Sequence, residues 1–343
     1  MKKIKSSCII SSAAFSVKRS VIKQYSSFKQ KCPAVGDLVV GEVIELGCHN
    51  TIESKLGRIH TINVGKQVVF VFGSRYAPDQ CEGVVPDSPQ EFVELFHQGG
   101  VIGNVKTKNQ LFSVTTKIKV LGYVCDNEGK VINTTNYSLI HPKIDTYHNK
   151  ARSKLILCVG TAMNSGKTYA AAASCYALSS MGKSVRAAKI TGVASLKDIS
   201  LMDDCGADYV ADFTYFGYPS TYMLEGNQLL SMFQAFDLKY GNNPNDYIVI
   251  EFSDGIFQRE TAMLLKMPEI QKRINKLVFC ASDSIAVFGG LYALQDKFGL
   301  VPDAISGLCS SSPLAIREIQ EFSDIPILQS LEKDCKKIFE IIK

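Results

Sequence analysis

The stretch Gly160-Thr161-Ala162-Met163-Asn164-Ser165-Gly166-Lys167-Thr168 carries the most pointed chemistry of this 343-residue chain. A short glycine-bounded loop leads into a lysine and a hydroxyl. Backbone N–H groups of such a loop, at the positive end of a helix, converge on one place and favour anionic oxygens there. Gly166 allows the backbone to approach a phosphate closely. Lys167 adds a full charge near β and γ phosphates, and Thr168 offers a hydroxyl to magnesium, which keeps most of its waters. The strict phosphate-loop pattern has glycine where Thr161 stands; here Gly160 precedes it by one place. Gly-Lys-Thr is common by chance, but an apolar run at 155–159 precedes this one and an Ala-rich helical stretch at 168–181 follows it, which is the context a phosphate loop requires. Gly160, Thr161, Asn164, Ser165, Gly166, Lys167 and Thr168 are therefore expected to hold a nucleoside triphosphate with Mg2+. ATP is the expected nucleotide. GTP is not excluded, although no Asn/Thr-Lys-x-Asp base-reading signature occurs.

Other residues could complete such a site. Lys189 stands at the carboxyl end of a strand-like run at 184–190, where a lysine can neutralise charge on a transferring phosphoryl group; the plainer reading is a solvated strand end. Glu251 closes the apolar run Tyr247–Glu251, and an acid buried there is costly unless it is paired or on a metal. Lys167, Lys189 and Glu251 are the expected catalytic groups, with Thr168 and Glu251 on the metal. Asp254, in a turn after that strand, and Asp283, after the run at 276–281, face the same rim and are candidates for substrate contacts. Arg75 lies in a polar turn at 73–80. It is either a turn residue or a planar, always charged fork that reaches a phosphate or an acidic substrate.

The elements that must position these groups alternate after residue 150. Strand-like runs at 155–159, 184–190, Tyr247–Glu251, 276–281, 304–308 and 325–328 are separated by helical stretches at 168–181, 198–205, Gly226–Tyr240, 284–297 and 313–322. Apolar runs buried on both faces and spaced by helices predict a mostly parallel α/β sheet with flanking helices, the fold class of P-loop NTPases. Ligands of such sheets bind at the carboxyl ends of the strands. Before residue 150, short alternating runs at 37–46, 57–64, Gln67–Phe72 and 117–125, broken by Gly, Asn and Pro, predict a small β-rich, barrel-like domain. The expected organisation is a basic segment at 1–31, a β-rich domain at 32–150 with a polar linker over 140–154, and a P-loop domain at 151–343.

Charge and composition narrow the class. Residues 1–31 hold eight Lys or Arg and no acid, whereas 151–343 hold 19 basic and 21 acidic residues, so the net +5 belongs to the start of the chain. That start reads as a transit peptide, a surface for nucleic acid, or a solvated helix face with Ala13, Val17, Val21 and Ile22 behind it; the last is preferred. Aromatics are not interleaved with the basic residues of the front domain, so nucleic acid is not expected as a partner. No apolar run approaches the roughly 18 residues of a membrane span, so no membrane association and a cytoplasmic location are expected. The eleven cysteines form no Cys-x-x-Cys pair and read as free thiols. The five histidines lack metal-ligand spacing.

The loop pattern Gly-Thr-x4-Gly-Lys-Thr resembles dethiobiotin synthetase and its relatives. The likeness extends to Ala188-Lys189-Ile190-Thr191-Gly192 on the second strand, in part to Ile250-Glu251-Phe252-Ser253-Asp254-Gly255, and to Gly307-Leu308-Cys309-Ser310-Ser311-Ser312 with Pro326-Ile327-Leu328. The resemblance implies nucleobase contacts at Ser310 and Ser311. Phe252 and Ser253 stand where that family is glycine-rich, and its nucleobase-loop Asn is absent, so a biotin precursor is not implied. Asp198, with Cys205-Gly206-Ala207 following, is similar to a segment of molybdopterin-guanine dinucleotide biosynthesis adapter proteins, and adds Asp198 to the metal candidates. Over its full length, with the Arg75-Tyr76-Ala77-Pro78-Asp79-Gln80 stretch, the chain looks like uncharacterised bacterial proteins of the DUF1611 type. What these resemblances carry over is the nucleotide site and not the acceptor; the expected function is an ATP- and Mg2+-dependent kinase or ligase that phosphorylates or activates a small acidic metabolite, with assembly into a homo-oligomer left open. The alternative is a nucleotide-dependent adapter, a slow NTPase acting with a protein partner in cofactor biosynthesis.

Overall fold

The computed structural model describes residues 1–27, 30–141 and 151–343. The chain forms two compact units: Met1–His141 with Gly192–Lys197 and Phe213–Met223, and Pro142–Thr191 with Asp198–Asp212 and Leu224–Lys343. Most of the linker expected over 140–154 falls at 142–150, outside the described residues, as does Lys29.

In the first unit, Leu38–Glu45 pairs antiparallel with Gln67–Phe72 and with Thr116–Cys125. Val101–Lys108 runs parallel to Gln67–Phe72, and Phe92–His97 pairs with both Val101–Lys108 and Thr116–Cys125. That last pairing closes the ring, which gives the expected barrel and leaves these strands without free edges. Alternation along the strands sorts the core. Val39, Val43, Phe70, Phe72, Ile102, Ile118 and Val120 share one apolar cluster, while Leu38, Val40, Val69 and Val71 belong to another.

That second cluster corrects the reading of the chain's start. Ile10, Ala13, Ala14, Val17 and Ile22 are buried in it, so the basic segment is part of the barrel unit and not a separate domain. Nor is it a helix. It holds the strands Lys2–Lys3, Ile9–Ile10 and Gln24–Ser26 with a 3-10 turn at Ser12–Ala14, and its Lys2, Lys3, Lys5, Lys18, Arg19 and Lys23 are exposed. A second correction concerns Arg75. It lies on the strand Arg75–Tyr76, is 3% exposed, and its Nη1 donates to the Phe96 carbonyl. A guanidinium committed to a carbonyl inside the barrel unit is not an exposed fork. Burial, with the Arg75 charge beside it, pushes the His49 imidazole down to about 4.

The second unit is a six-stranded sheet. Its strands are β1 (Lys154–Gly160), β2 (Val185–Lys189), β3 (Tyr209–Asp212), β4 (Tyr247–Glu251), β5 (Lys276–Cys280) and β6 (Ala304–Ser306). The order is β3-β2-β4-β1-β5-β6, and every pair is parallel. The helices include α1 (Lys167–Ser180), α2 (Leu196–Asp204), α3 (Gly226–Tyr240), α4 (Arg259–Leu265), α5 (Pro268–Gln271), α6 (Ser284–Phe298), α7 (Pro313–Gln320) and α8 (Cys335–Ile342). α1 is Ala-rich, so its buried Ala170, Ala171 and Ala177 let it lie close on the sheet, beside Ile338 and Ile342 of α8. The strand expected at 325–328 is reduced to a single parallel bridge from Ile327 to Ile305. β3 and α8 carry no clear sequence signal. Among the described residues no helix is long and apolar enough to cross a membrane, and all eleven cysteines are free.

This strand order positions the site. β1 is central, between β4 and β5, so the loop after it opens where the carboxyl ends of β4 and β5 also finish. Such a crevice is where open parallel sheets bind ligands.

Candidate functional site

The 160–168 loop is held from both sides. Thr161 N donates to the Cys280 carbonyl at 2.9 Å, at the end of β5, and Ile256 N donates to the Gly160 carbonyl at 2.9 Å. Gly166 has φ of 95°, a left-handed conformation that glycine adopts without steric cost. A Cβ on Gly166 would stand 2.8 Å from Gly307 Cα, and one on Gly307, itself at φ 94°, would stand 2.2 Å from the Ser165 carbonyl oxygen. Two backbones therefore meet through paired glycines, and Leu308 N donates to the Ser165 carbonyl across the contact. Asn164 also has positive φ, 63°, in keeping with asparagine's tolerance of that region.

Lys167 is buried. Its Nζ donates to the Ala162 carbonyl at 2.7 Å and to Ser165 Oγ at 3.3 Å, so the ammonium curls back over the loop. Burial pushes this lysine down, against the opposing pull of Glu251 and Asp254. Lys189 differs. Burial alone would push it down, but the carboxylates of Asp198 and Glu251 outweigh that and raise it. Its Nζ is paired with Asp198 Oδ2 and lies 3.5 Å from Glu251 Oε1. Lys189 is thus a fixed cation at the end of β2.

Glu251 is 1% exposed. Thr168 Oγ1 donates to its Oε1 at 3.2 Å and Ser253 Oγ donates to the same oxygen at 2.9 Å. Its other oxygen, Oε2, is buried without a hydrogen-bond partner. An orphaned buried carboxylate oxygen beside a threonine hydroxyl is a hard-donor pair that fits Mg2+. Among the described residues no group of three or more His, Cys, Asp or Glu forms a metal cage. Magnesium does not require one, because it is ordinarily held by one or two protein oxygens together with substrate phosphates and water.

Ser253 was not among the sequence candidates. Its amide donates to Thr191 Oγ1 at 2.7 Å, the Thr191 hydroxyl donates back to its carbonyl at 2.6 Å, and Thr261 Oγ1 donates to that carbonyl at 2.5 Å. Ser253 is therefore held rigidly where its own hydroxyl orients Glu251. Its place two residues after a strand-ending acid was the available signal. The Asp254 carboxylate acts to raise both Lys167 and Lys189 electrostatically.

Asp283 serves a different purpose. Its carboxylate accepts from Ser282 Oγ at 2.7 Å and from Ala286 N at 2.8 Å; these bonds hold it below the usual carboxylate range, and the second caps α6. The expected substrate contact is thus a helix cap. Asp283→Ala should cost about 1 kcal/mol of stability, read as a lower denaturation midpoint, and leave nucleotide affinity unchanged in calorimetry.

A cavity of about 640 Å³ adjoins the loop, lined by Gly166, Tyr169, Ser310, Ser311, Gln329 and Ser330 among others. Its size lies within the range of small-molecule sites. Ser310 and Ser311, the nucleobase candidates, are among its lining residues, and their hydroxyls donate at 2.7 Å to the Gly307 and Leu308 carbonyls and so brace the loop. Tyr169 and Gln329 are lining residues that the sequence did not single out.

No family model matches this chain and no curated protein does. Similar solved structures include a ParA family ATPase from Chlorobium tepidum TLS, 14% identical, covering 56% of this chain and 88% of that one with a TM-score of 0.35. A nucleotide-binding protein from Archaeoglobus fulgidus, in complex with ADP, is 11% identical over 54% of this chain and 85% of that one, with a TM-score of 0.36. The signal recognition particle receptor FtsY from Elizabethkingia anophelis, in complex with GDP, is 11% identical over 61% and 70%, with a TM-score of 0.38. With TM-scores this low, the fold of the second unit rests on its own geometry: a parallel six-stranded sheet whose central strand enters α1 through a Gly-Lys-Thr loop.

Proposed function

We propose that the second unit binds ATP with Mg2+ and phosphorylates or activates a small carboxylate metabolite. The supporting observation is the convergence of Lys167, Lys189, Thr168 and Glu251 at the carboxyl ends of β1, β2 and β4. On binding, Lys167 exchanges its bonds to Ala162 and Ser165 for β- and γ-phosphate oxygens, which return to it the charge compensation that burial removed. Lys189, kept cationic by Asp198 and Glu251, faces the charge that builds on the transferring group. Thr168 and Glu251 would hold the magnesium, with Asp198 as a further acid near it; the bound ion would neutralise phosphate oxygens. Little covalent work falls to the protein in such a transfer, so rigid placement of these charges supplies most of the acceleration. The cavity beside Gly166 receives the nucleoside.

The resemblance to dethiobiotin synthetase carries over the nucleotide site and not the acceptor; a small carboxylate is the acceptor class we propose. It is tested by measuring ADP release from the full-length protein with ATP, Mg2+ and pools of small carboxylates. Release is expected to be slow alone and to rise at least about tenfold with one acid, the size of effect that positioning a second reactant readily provides. If no pool stimulates release from a protein that binds ATP, the carboxylate acceptor is wrong.

A further inference from the structure

Glu53, in the first unit, is 1% exposed. A buried carboxylate requires partners, and its partners are two consecutive amides: Oε2 accepts from Leu196 N at 2.9 Å and Oε1 from Lys197 N at 3.2 Å. Leu196 and Lys197 belong to the same unit as Glu53 and are the first two residues of α2. The leading amides of a helix have no partner within it, and an acid there also matches the positive end of the helix dipole. A residue more than 140 positions earlier in the chain therefore sets the start of this helix.

The same segment is held at other points of the first unit. Ala194 N donates to the Pro219 carbonyl at 2.9 Å, the Ala194 carbonyl is 3.0 Å from His97 Nδ1, and Gly192 N donates to Thr221 Oγ1 at 2.9 Å. The chain then reaches Asp198, one residue past Lys197. Asp198 is the partner of Lys189, which in turn sits beside Glu251. Within a helix, neighbouring residues keep a fixed rise and rotation, so the position of the Lys197 amide sets the position of Asp198.

We propose that Glu53 is a positioning residue for the nucleotide site: its carboxylate fixes the first turn of α2, and so fixes how Asp198 holds Lys189 beside Glu251. The inference rests on the reading of that site as a Mg2+-nucleotide site.

The test is calorimetry on the full-length protein with a non-hydrolysable ATP analogue, with and without Mg2+. Glu53→Gln should lower the affinity measured with Mg2+ by about tenfold, as loss of an outer-shell partner typically does, and change the Mg2+-free affinity less than twofold. Repeating the substitution in an Asp198→Asn background should abolish the effect, because Glu53 acts through Asp198. Glu53→Asp, which keeps the charge, should retain much of the Mg2+ response and serves if the glutamine variant does not fold. Equal losses in both backgrounds, or equal losses with and without Mg2+, would overturn the proposal and leave Glu53 a stabilising cap only. A wild-type protein that binds no triphosphate would instead overturn the site reading.

Discussion

Lys167→Ala should weaken binding of Mg2+-ATP by about 10- to 100-fold, with the thermal unfolding profile little changed. The lysine is the one ammonium within the loop itself, and a charge-assisted bond from it to phosphate contributes roughly 1.5–3 kcal/mol, where 1.4 kcal/mol is tenfold in affinity. In the free protein its hydrogen bonds go to the Ala162 carbonyl and Ser165 Oγ, partners that water can replace at the mouth of the loop. Removing a buried cation also removes its desolvation cost, so the fold should tolerate the change. Calorimetry with ATP and with GTP checks this, and an affinity within threefold of wild type for both nucleotides would mean that 160–168 is not a phosphate loop.

Glu251→Gln should reduce turnover by about 100- to 1,000-fold, the range seen when one preorganised electrostatic group is lost, while Mg2+-free nucleotide binding persists. The substitution keeps the shape of a side chain that is 1% exposed and an acceptor for Thr168 and Ser253, but removes the charge that the orphaned Oε2 would offer to magnesium. Lys189 keeps Asp198 as a counter-ion, so no buried cation is stranded. A Mg2+ titration of ADP release separates this from simple misfolding: the variant should need far more Mg2+ at the same nucleotide occupancy. Turnover within threefold of wild type at equal Mg2+ would remove Glu251 from the site.

Much of the second unit was legible because its signals are local. The apolar runs of β1, β4 and β5 are buried on both faces, so each reads as an uninterrupted hydrophobic stretch, and the helices between them have ordinary length and period. The short strand Tyr209–Asp212 and the helix Cys335–Ile342 escaped notice, because four residues carry no period and an isolated amphipathic turn near a chain end resembles a solvated one. In the first unit, closure of the barrel depends on Phe92–His97 pairing with two strands, and no local pattern announces a strand with two partners. The basic start misled for a related reason. Its Lys2, Lys3, Lys5, Lys18 and Lys23 are exposed as expected, but Ala13, Val17 and Ile22 are buried in an apolar cluster of the barrel unit instead of lining a helix face.

The sequence alone determined the glycine-bounded loop at 160–168, its lysine and threonine, and the acid and lysine that end two parallel strands, because each of these depends on residue type and on neighbours a few positions away. Tertiary structure decided everything that depends on which distant groups meet. It made Asp283 a helix cap, enclosed Arg75 against the Phe96 carbonyl, and placed Ser253 on Glu251. It also joined two segments that follow β2 and β3 to the barrel unit and brought Glu53 to the amides of Leu196 and Lys197. Each of these is the satisfaction of a buried polar group by a partner that burial selects, and burial is a property of the folded chain as a whole.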